Sequence, residues 1–273
     1  MALPLEGKVA IVTGGSRGIG KGIAICLAEA GADVVVAARS DDAAANPLGS
    51  INKTAAEIEA IGHKARAVKL DVTDDDNCRA AIDQVIKEFG RVDILVNNAA
   101  RMGFGGGDYW GSTPDNIDAY YKTNLRAPYF LTLLVAPIME KQGGGAVFNI
   151  TSGGGNLPAP PKPDFQLSPG RTYVGYGITK SALNRWVTGV AGELMLHKVA
   201  IVAVDPGRTI VERNIVTPLP GVDYSDANTP ETTGRAIAFM AEDPMSYTGR
   251  VVASKEIVEK NKLVMTGRMP TLD

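Results

Sequence analysis

The chain has 273 residues and nearly balanced charge, with 28 Lys and Arg against 30 Asp and Glu, and a pI near 5.8. That length suits one large α/β domain or two small ones, and the lack of a basic surplus argues against a nucleic-acid partner. Two cysteines, Cys26 and Cys78, and two histidines, His63 and His197, show no framework or ligand spacing, which argues against a disulfide scaffold and a metal site. Cys26 falls in an apolar helical pattern and reads as core packing. The start, Met1-Ala-Leu-Pro-Leu-Glu-Gly-Lys, lacks the apolar run of a signal peptide, and no stretch approaches about 18 apolar residues. These features predict a soluble, cytoplasmic protein.

Lys8-Val-Ala-Ile-Val12 is a short apolar run ending in a glycine turn, as a buried parallel strand does. Helical periodicity follows through Ile19, Ile23, Cys26 and Leu27, with Gly31 as its stop. Asp33 to Ala38 reads as the second strand, and residues 41–50 as a lengthened loop before a helix ending near Gly62. Ala65 to Leu70 is the third strand, Asp74 to Phe89 a helix stopped by Gly90, and Val92 to Val96 the fourth strand. A glycine-rich loop and a long helix over Pro114 to Lys141, bent at Pro128 and Pro137, come next. Ala146 to Ile150 is strand five; a helix around Tyr176 runs to about His197, and Val199 to Val204 is strand six. A helix after Pro230 and the strand Arg250 to Ala253 close the pattern. Strand–helix alternation throughout predicts an α/β fold: a single-domain, doubly wound parallel sheet of about seven strands with helices on both faces.

Gly14, Gly18 and Gly20 follow the first strand and open the first helix. Gly14 permits a tight turn, Gly18 lets backbone approach a pyrophosphate, and Gly20 allows close packing of helix on strand. Amide donors and the helix dipole then face phosphate groups. The spacing Gly-x-x-x-Gly-x-Gly differs from the commoner Gly-x-Gly-x-x-Gly. An acidic residue at the end of strand two would accept from a ribose 2′-hydroxyl and repel a 2′-phosphate; here stand Ala37, Ala38 and Arg39. Arg39, with Arg17 in the turn, offers planar donors suited to phosphate, which predicts NADP(H) over NAD(H). The alternative is that Arg39 pairs with Asp41 or Asp42.

In Tyr176-Gly-Ile-Thr-Lys180 the phenol and the ammonium lie on one helix face. Bringing a tyrosine from a pKa of about 10 to about 7 needs roughly 4 kcal/mol. A cation about 4 Å away at an effective dielectric of about 20 supplies an amount of that order. Without further context such a pair reads as a solvated helix face.

The context is supplied by Thr13 to Gly20, Leu70-Asp-Val72, Asn97-Asn-Ala-Ala100, Asn124, Thr151-Ser152, Tyr176 to Lys180 and Asp205-Pro-Gly207. Over residues 6–253 the chain resembles the short-chain dehydrogenase/reductase family of the single-domain kind. The resemblance implies a proton donor and acceptor at Tyr176, and a Lys180 that lowers its pKa and holds the nicotinamide ribose. It implies a substrate-orienting Ser152, and an Asn124 that helps position a water in a relay to Lys180. Around the cofactor it implies Gly14, Ser16, Arg17, Gly18, Ile19 and Gly20 in the turn and Arg39 beyond strand two. Asp71 and Val72 would stand at the adenine, Asn98 and Ala99 beyond strand four, and Pro206 and Gly207 past the nicotinamide. The implied activity is hydride transfer between NADP(H) and a carbonyl or secondary alcohol, in a homodimer or homotetramer. A catalytically silent nucleotide-binding regulator is the alternative, against which the intact Ser152, Tyr176 and Lys180 count. An epimerase or dehydratase using the nucleotide transiently is a third, for which the chain after strand six leaves little room.

Some positions depart from the family pattern. Ala100 replaces a common glycine, and Ser152 and Tyr176 lie unusually far apart. The intervening insert, 153–172, carries Pro158, Pro160, Pro161, Pro163 and Pro169 and reads as a wall or lid of the substrate pocket, or as a surface or subunit-contact loop. The segment after Gly207 reads as a second lid. The tail, 254–273, departs too, with Ile257, Val258 and Leu263 placed to dock on this subunit or a neighbour. Met102, Phe104, Tyr109, Trp110, Leu157, Phe165, Leu167, Ile210 and Ile215 are pocket candidates and suit a moderately apolar substrate.

Overall fold

The computed structural model describes residues 2–41, 48–102, 111–156, 174–218 and 221–270. Residues 157–172 of the proline insert, with Phe104, Tyr109, Trp110, Leu157, Phe165 and Leu167, lie outside them, as does Asp42.

Seven strands form one parallel sheet in the order β3-β2-β1-β4-β5-β6-β7: β1 (Val9–Thr13), β2 (Asp33–Ala38), β3 (Ala65–Lys69), β4 (Ile94–Asn97), β5 (Gly145–Ile150), β6 (Val199–Asp205) and β7 (Val251–Ala253). The chain runs outward from β1 through β2 to β3, then returns to place β4 on the other side of β1. That reversal opens a crevice between the carboxyl ends of β1 and β4, where sheets of this kind bind ligands.

Helices α1 (Gly18–Glu29), α2 (Ile51–Ala60) and α3 (Asp75–Phe89) alternate with the first strands. Asp74 caps α3 by accepting the Asn77 amide, and Gly90 ends it at φ 75°. Side-chain alternation splits the core into two layers. Val12, Val34, Val36, Val96 and Phe148 pack with Ile23 of α1 and Ile58 of α2. Ile11, Val35, Leu95 and Val147 face the other way, against Ile82 and Val85 of α3. Nearly all side chains of β1, β2 and β4 are buried, which is why these strands read as unbroken apolar runs.

The expected helix over Pro114 to Lys141 is not regular. It comprises α4 (Pro114–Tyr121), a π-helical turn at Lys122–Arg126 and α5 (Ala127–Lys141). The interruption precedes both Pro128 and Pro137. The cause is a change of hydrogen-bond register, which pushes one extra residue into the turn. After it come α6 (Val174–Leu196), the short α7 (Glu212–Val216), α8 (Pro230–Met240) and α9 (Ser254–Lys260). The helices α7 and α9 were not expected. Ile257 and Val258 of α9 are buried in the layer beneath α1 and α8, so the tail docks on its own subunit. Among the described residues no helix is long and apolar enough to cross a membrane, and no cluster of His, Cys, Asp or Glu is placed to hold a metal.

Candidate active site

The glycine turn leaves β1 at the crevice. Gly14 and Gly18 have φ of 66° and 55°, a region that side chains disfavour. A Cβ on Gly20 would collide with the Gly14 carbonyl, and one on Gly14 would lie 2.9 Å from Asn98 Nδ2. The turn is thus packed to backbone contact and admits no side chain. Asn98 Nδ2 donates to the carbonyls of Thr13 at 2.8 Å and Gly14 at 3.2 Å. Its amide therefore braces the turn from the β4 side, a role the family resemblance did not imply. Thr13 Oγ1 completes the brace: it donates to the Val96 carbonyl and accepts from the amides of Asn98 and Ala99. Nothing in the sequence singled out Thr13, since a threonine closing a strand is ordinary.

Ser16 is buried and Ile19 half-buried beside the turn. Arg17 is half-buried; desolvation lowers its pKa, while the Glu212 carboxylate raises it and Arg213 and Arg39 add to the lowering. Arg39 is exposed at the end of β2. Asp41, one of its two possible partners, pairs with Lys69 at 2.9 Å. The Arg39 charge also bears on Asp71. Burial pushes that carboxyl up, but hydrogen bonds from Thr73 and the Arg39 charge outweigh it and hold it low. Val72 is buried next to it.

On the other side of the crevice, Ser152 lies two residues past β5, at the start of the 3-10 turn Gly153–Gly155. Glycines form the seam between this turn and α6. A Cβ on Gly155 would stand 2.9 Å from the Lys180 carbonyl carbon, and one on Gly177 2.9 Å from the Gly154 carbonyl oxygen. Ser181 Oγ donates to the Gly155 carbonyl at 2.7 Å. This close approach brings the Ser152 hydroxyl near enough to Tyr176 to favour its phenolate across their long sequence separation.

Tyr176 and Lys180 are both buried, one helical turn apart. Lys180 Nζ donates to the Ile150 carbonyl at 2.6 Å and lies 5.5 Å from the centroid of the Tyr176 ring. Desolvation pulls the lysine down to about 8. It pushes Tyr176 up to about 12, opposed by the Ser152 hydroxyl and assisted by Asp205. The expectation that Lys180 acidifies the phenol is therefore not met in this geometry. Its ammonium faces the ring and a carbonyl rather than the phenolic oxygen, and burial of the phenol wins.

Asn124 sits in the π-helical turn and is fully buried. Its Oδ1 accepts the Arg101 amide, and its Nδ2 donates to the Arg101 carbonyl and to Thr179 Oγ1 at 3.2 Å. The side chain therefore ties the β4 loop to α6, next to Lys180 but not in contact with it. Pro206 and Gly207 follow β6 with the Gly207 amide capped by Asp205 Oδ1 at 2.9 Å and the Pro206 carbonyl held by Asn228. A cavity of about 220 Å³ beside them is lined by Asp205, Gly207, Arg208, Asp226, Asn228, Ala253 and Lys255. Of the pocket candidates, Met102 is 62 % and Ile215 40 % exposed.

The packed glycine turn at the amino end of α1 fits the pyrophosphate of a nicotinamide dinucleotide, and a carboxylate already accepts its Gly18 amide. The short chain dehydrogenase family model matches residues 8–216. The chain belongs to this family. Members of the family are oxidoreductases that bind NAD(P) and act on CH–OH groups of small molecules. It is 35% identical over 218 residues to the 7alpha-hydroxysteroid dehydrogenase of Escherichia coli (strain K12), covering 79% of this chain and 77% of that protein. It is 30% identical over 260 residues to the hydroxysteroid dehydrogenase-like protein 2 of Homo sapiens; the match takes in 94% of this chain but only 58% of that relative's length. Among solved structures, a 7 alpha-hydroxysteroid dehydrogenase complexed with NADH and 7-oxo glycochenodeoxycholic acid superposes with a TM-score of 0.79 at 28% identity, covering 100% of this chain and 98% of that one. A short chain dehydrogenase from Burkholderia cenocepacia J2315 in complex with NADP has a TM-score of 0.75 at 28% identity, covering 92% and 97%.

Proposed function

We propose that this short-chain dehydrogenase transfers hydride between NADP(H) and a ketone or secondary alcohol, with Tyr176 as general acid and base. The observation that carries the reading is the approach of the half-buried Ser152 hydroxyl to the buried Tyr176 phenol, one helical turn from Lys180 and across the crevice from the glycine turn. When bound, the nicotinamide supplies or accepts the hydride. Tyr176 donates its proton to the substrate oxygen in reduction and takes it back in oxidation. Ser152 donates to that same oxygen and stabilises the negative charge it gains. Lys180 has a pKa near 8, so at neutral pH it remains mostly cationic and able to favour the phenolate once hydroxyl groups replace Ile150 as its acceptor. With the Asn124 side chain spent on Arg101 and Thr179, any share it has in a proton relay falls to its main-chain carbonyl. The preference for NADP(H) rests on Arg39 and Arg17 and on the absence of an acid at the end of β2.

Three of the similar proteins are named for a hydroxysteroid, which makes bulky, mostly apolar ketones such as 7-oxo glycochenodeoxycholic acid the first substrates to try. Tyr129, Leu133 and Ile178 expose apolar surface on α5 and α6, and we assign these helices to contact between copies of the chain. NADPH oxidation over a panel of steroid ketones, aliphatic ketones, aldehydes and quinones tests the reading. Turnover with release of the corresponding alcohol is expected. NADPH that binds and is not consumed with any of them, nor formed from the matching alcohols, would favour the regulatory alternative.

A further inference from the structure

One carboxylate of the chain already sits at the phosphate cradle. Glu212, at the start of α7, is 4 % exposed, and its Oε2 accepts the Gly18 amide at 2.9 Å. Gly18 is the first residue of α1, so its N–H has no acceptor within the helix and points toward incoming anions. Val211 closes over the same spot: a Cβ on Gly18 would lie 3.2 Å from Val211 Cγ1 and 3.7 Å from Glu212 Oε2. A buried carboxylate needs compensation, and here it comes from that amide, the positive end of the α1 dipole and the Arg17 guanidinium, with Arg39 and Arg213 in range of Arg17.

These are the partners a dinucleotide pyrophosphate requires. The Gly18 amide cannot serve both anions, and two negative groups a few ångströms apart in a half-buried cleft repel. We propose that Glu212 is a built-in competitor of the dinucleotide pyrophosphate and so sets the affinity of the chain for its nucleotide. Nucleotide entry exchanges one anion for another and moves α7 off the turn. The inference rests on the nucleotide reading above.

Calorimetric titration of NADPH and of inorganic pyrophosphate into wild type, Glu212→Gln and Glu212→Ala tests it. Glu212→Ala frees the amide and removes the charge, and is expected to bind both probes about tenfold more tightly or better. Glu212→Gln removes only the charge and keeps an acceptor for Gly18, so it should fall between the two; it also serves as the milder variant if alanine destabilises the fold. Wild type that binds NADPH, with both variants binding it equally or more weakly, overturns the competition and leaves the nucleotide reading intact. Failure of all three proteins to bind NADPH, NADH or pyrophosphate overturns both.

Discussion

Lys180 Nζ donates to the main-chain carbonyl of Ile150 at 2.6 Å, at the end of β5, while standing 5.5 Å from the centre of the Tyr176 ring. The lysine is thereby oriented by the sheet rather than by the tyrosine one turn before it. A cation over a ring face is attracted to the ring, but does less for charge on the phenolic oxygen than one placed beside it. Both groups are desolvated, and desolvation moves them in opposite directions, Tyr176 to about 12 and Lys180 to about 8.

A stability signature follows. The folded protein loses the Lys180 proton near pH 8 and the unfolded chain near 10.5, so the unfolded chain binds more protons between these values. The cost of burying the ammonium is full below pH 8 and is relieved as pH rises toward 10.5. Tyr176 acts oppositely, and only above pH 10, where the unfolded chain begins to lose a proton that the folded one keeps. Lys180→Met should be more stable than wild type below pH 8, by up to about 3 kcal/mol at about 1.36 kcal/mol per unit of pKa. The gap should narrow between pH 8 and 10. Denaturant unfolding of both proteins across that range checks it; a gap constant with pH contradicts it.

Nucleotide choice should depend on Arg39. Arg39→Ala is expected to weaken NADPH binding about ten- to a hundredfold, the worth of a charge-assisted hydrogen bond, with NADH affinity within about twofold. Fluorescence titration with both nucleotides reads this directly. Wild type binding NADH as tightly as NADPH would remove the basis for the preference.

The tail after α9 is held by two carboxylates, Glu29, which accepts from the Arg268 guanidinium at 2.6 Å, and Glu231. Glu231 of α8 is 1 % exposed and accepts from the Thr266 amide and hydroxyl, the Arg268 amide and Arg235. Burial raises its pKa, but these donors outweigh it and hold it low. The stabilisation is present above the unfolded carboxyl pKa of about 4.5 and is lost as pH falls through the folded value. Glu231→Ala should cost about 2–4 kcal/mol and speed amide exchange at Thr266 and Arg268. Unchanged exchange at those two amides would show that the tail is held by its apolar contacts and the Glu29–Arg268 pair instead.

The strand positions and the glycine turn were legible because buried parallel strands are continuous apolar runs, and because Gly14, Gly18 and Gly20 stand where backbone must approach backbone. Ser152, Tyr176 and Lys180 were legible as a set, but the direction of the Lys180 ammonium was not. Helical spacing places Lys180 beside Tyr176 without revealing that the Ile150 carbonyl competes for it. The π-helical turn at Lys122–Arg126 was hidden because it is a change of hydrogen-bond register that leaves the apolar pattern intact. An asparagine in a helix carries no signal of burial by itself, yet Asn124 is buried in that turn. Glu212 gave no signal either, since an acid in a short polar helix is ordinary until its contact with Gly18, distant in sequence, is seen.

The central claim is that Tyr176 moves the proton. The most direct measurement is kcat of Tyr176→Phe, on a substrate that the wild-type enzyme turns over, alongside its Kd for NADPH. A fall in kcat of about 10²–10⁴-fold with Kd within about threefold of wild type is the predicted result. Turnover retained at the wild-type rate would contradict the account and move the proton-transferring group elsewhere in the crevice.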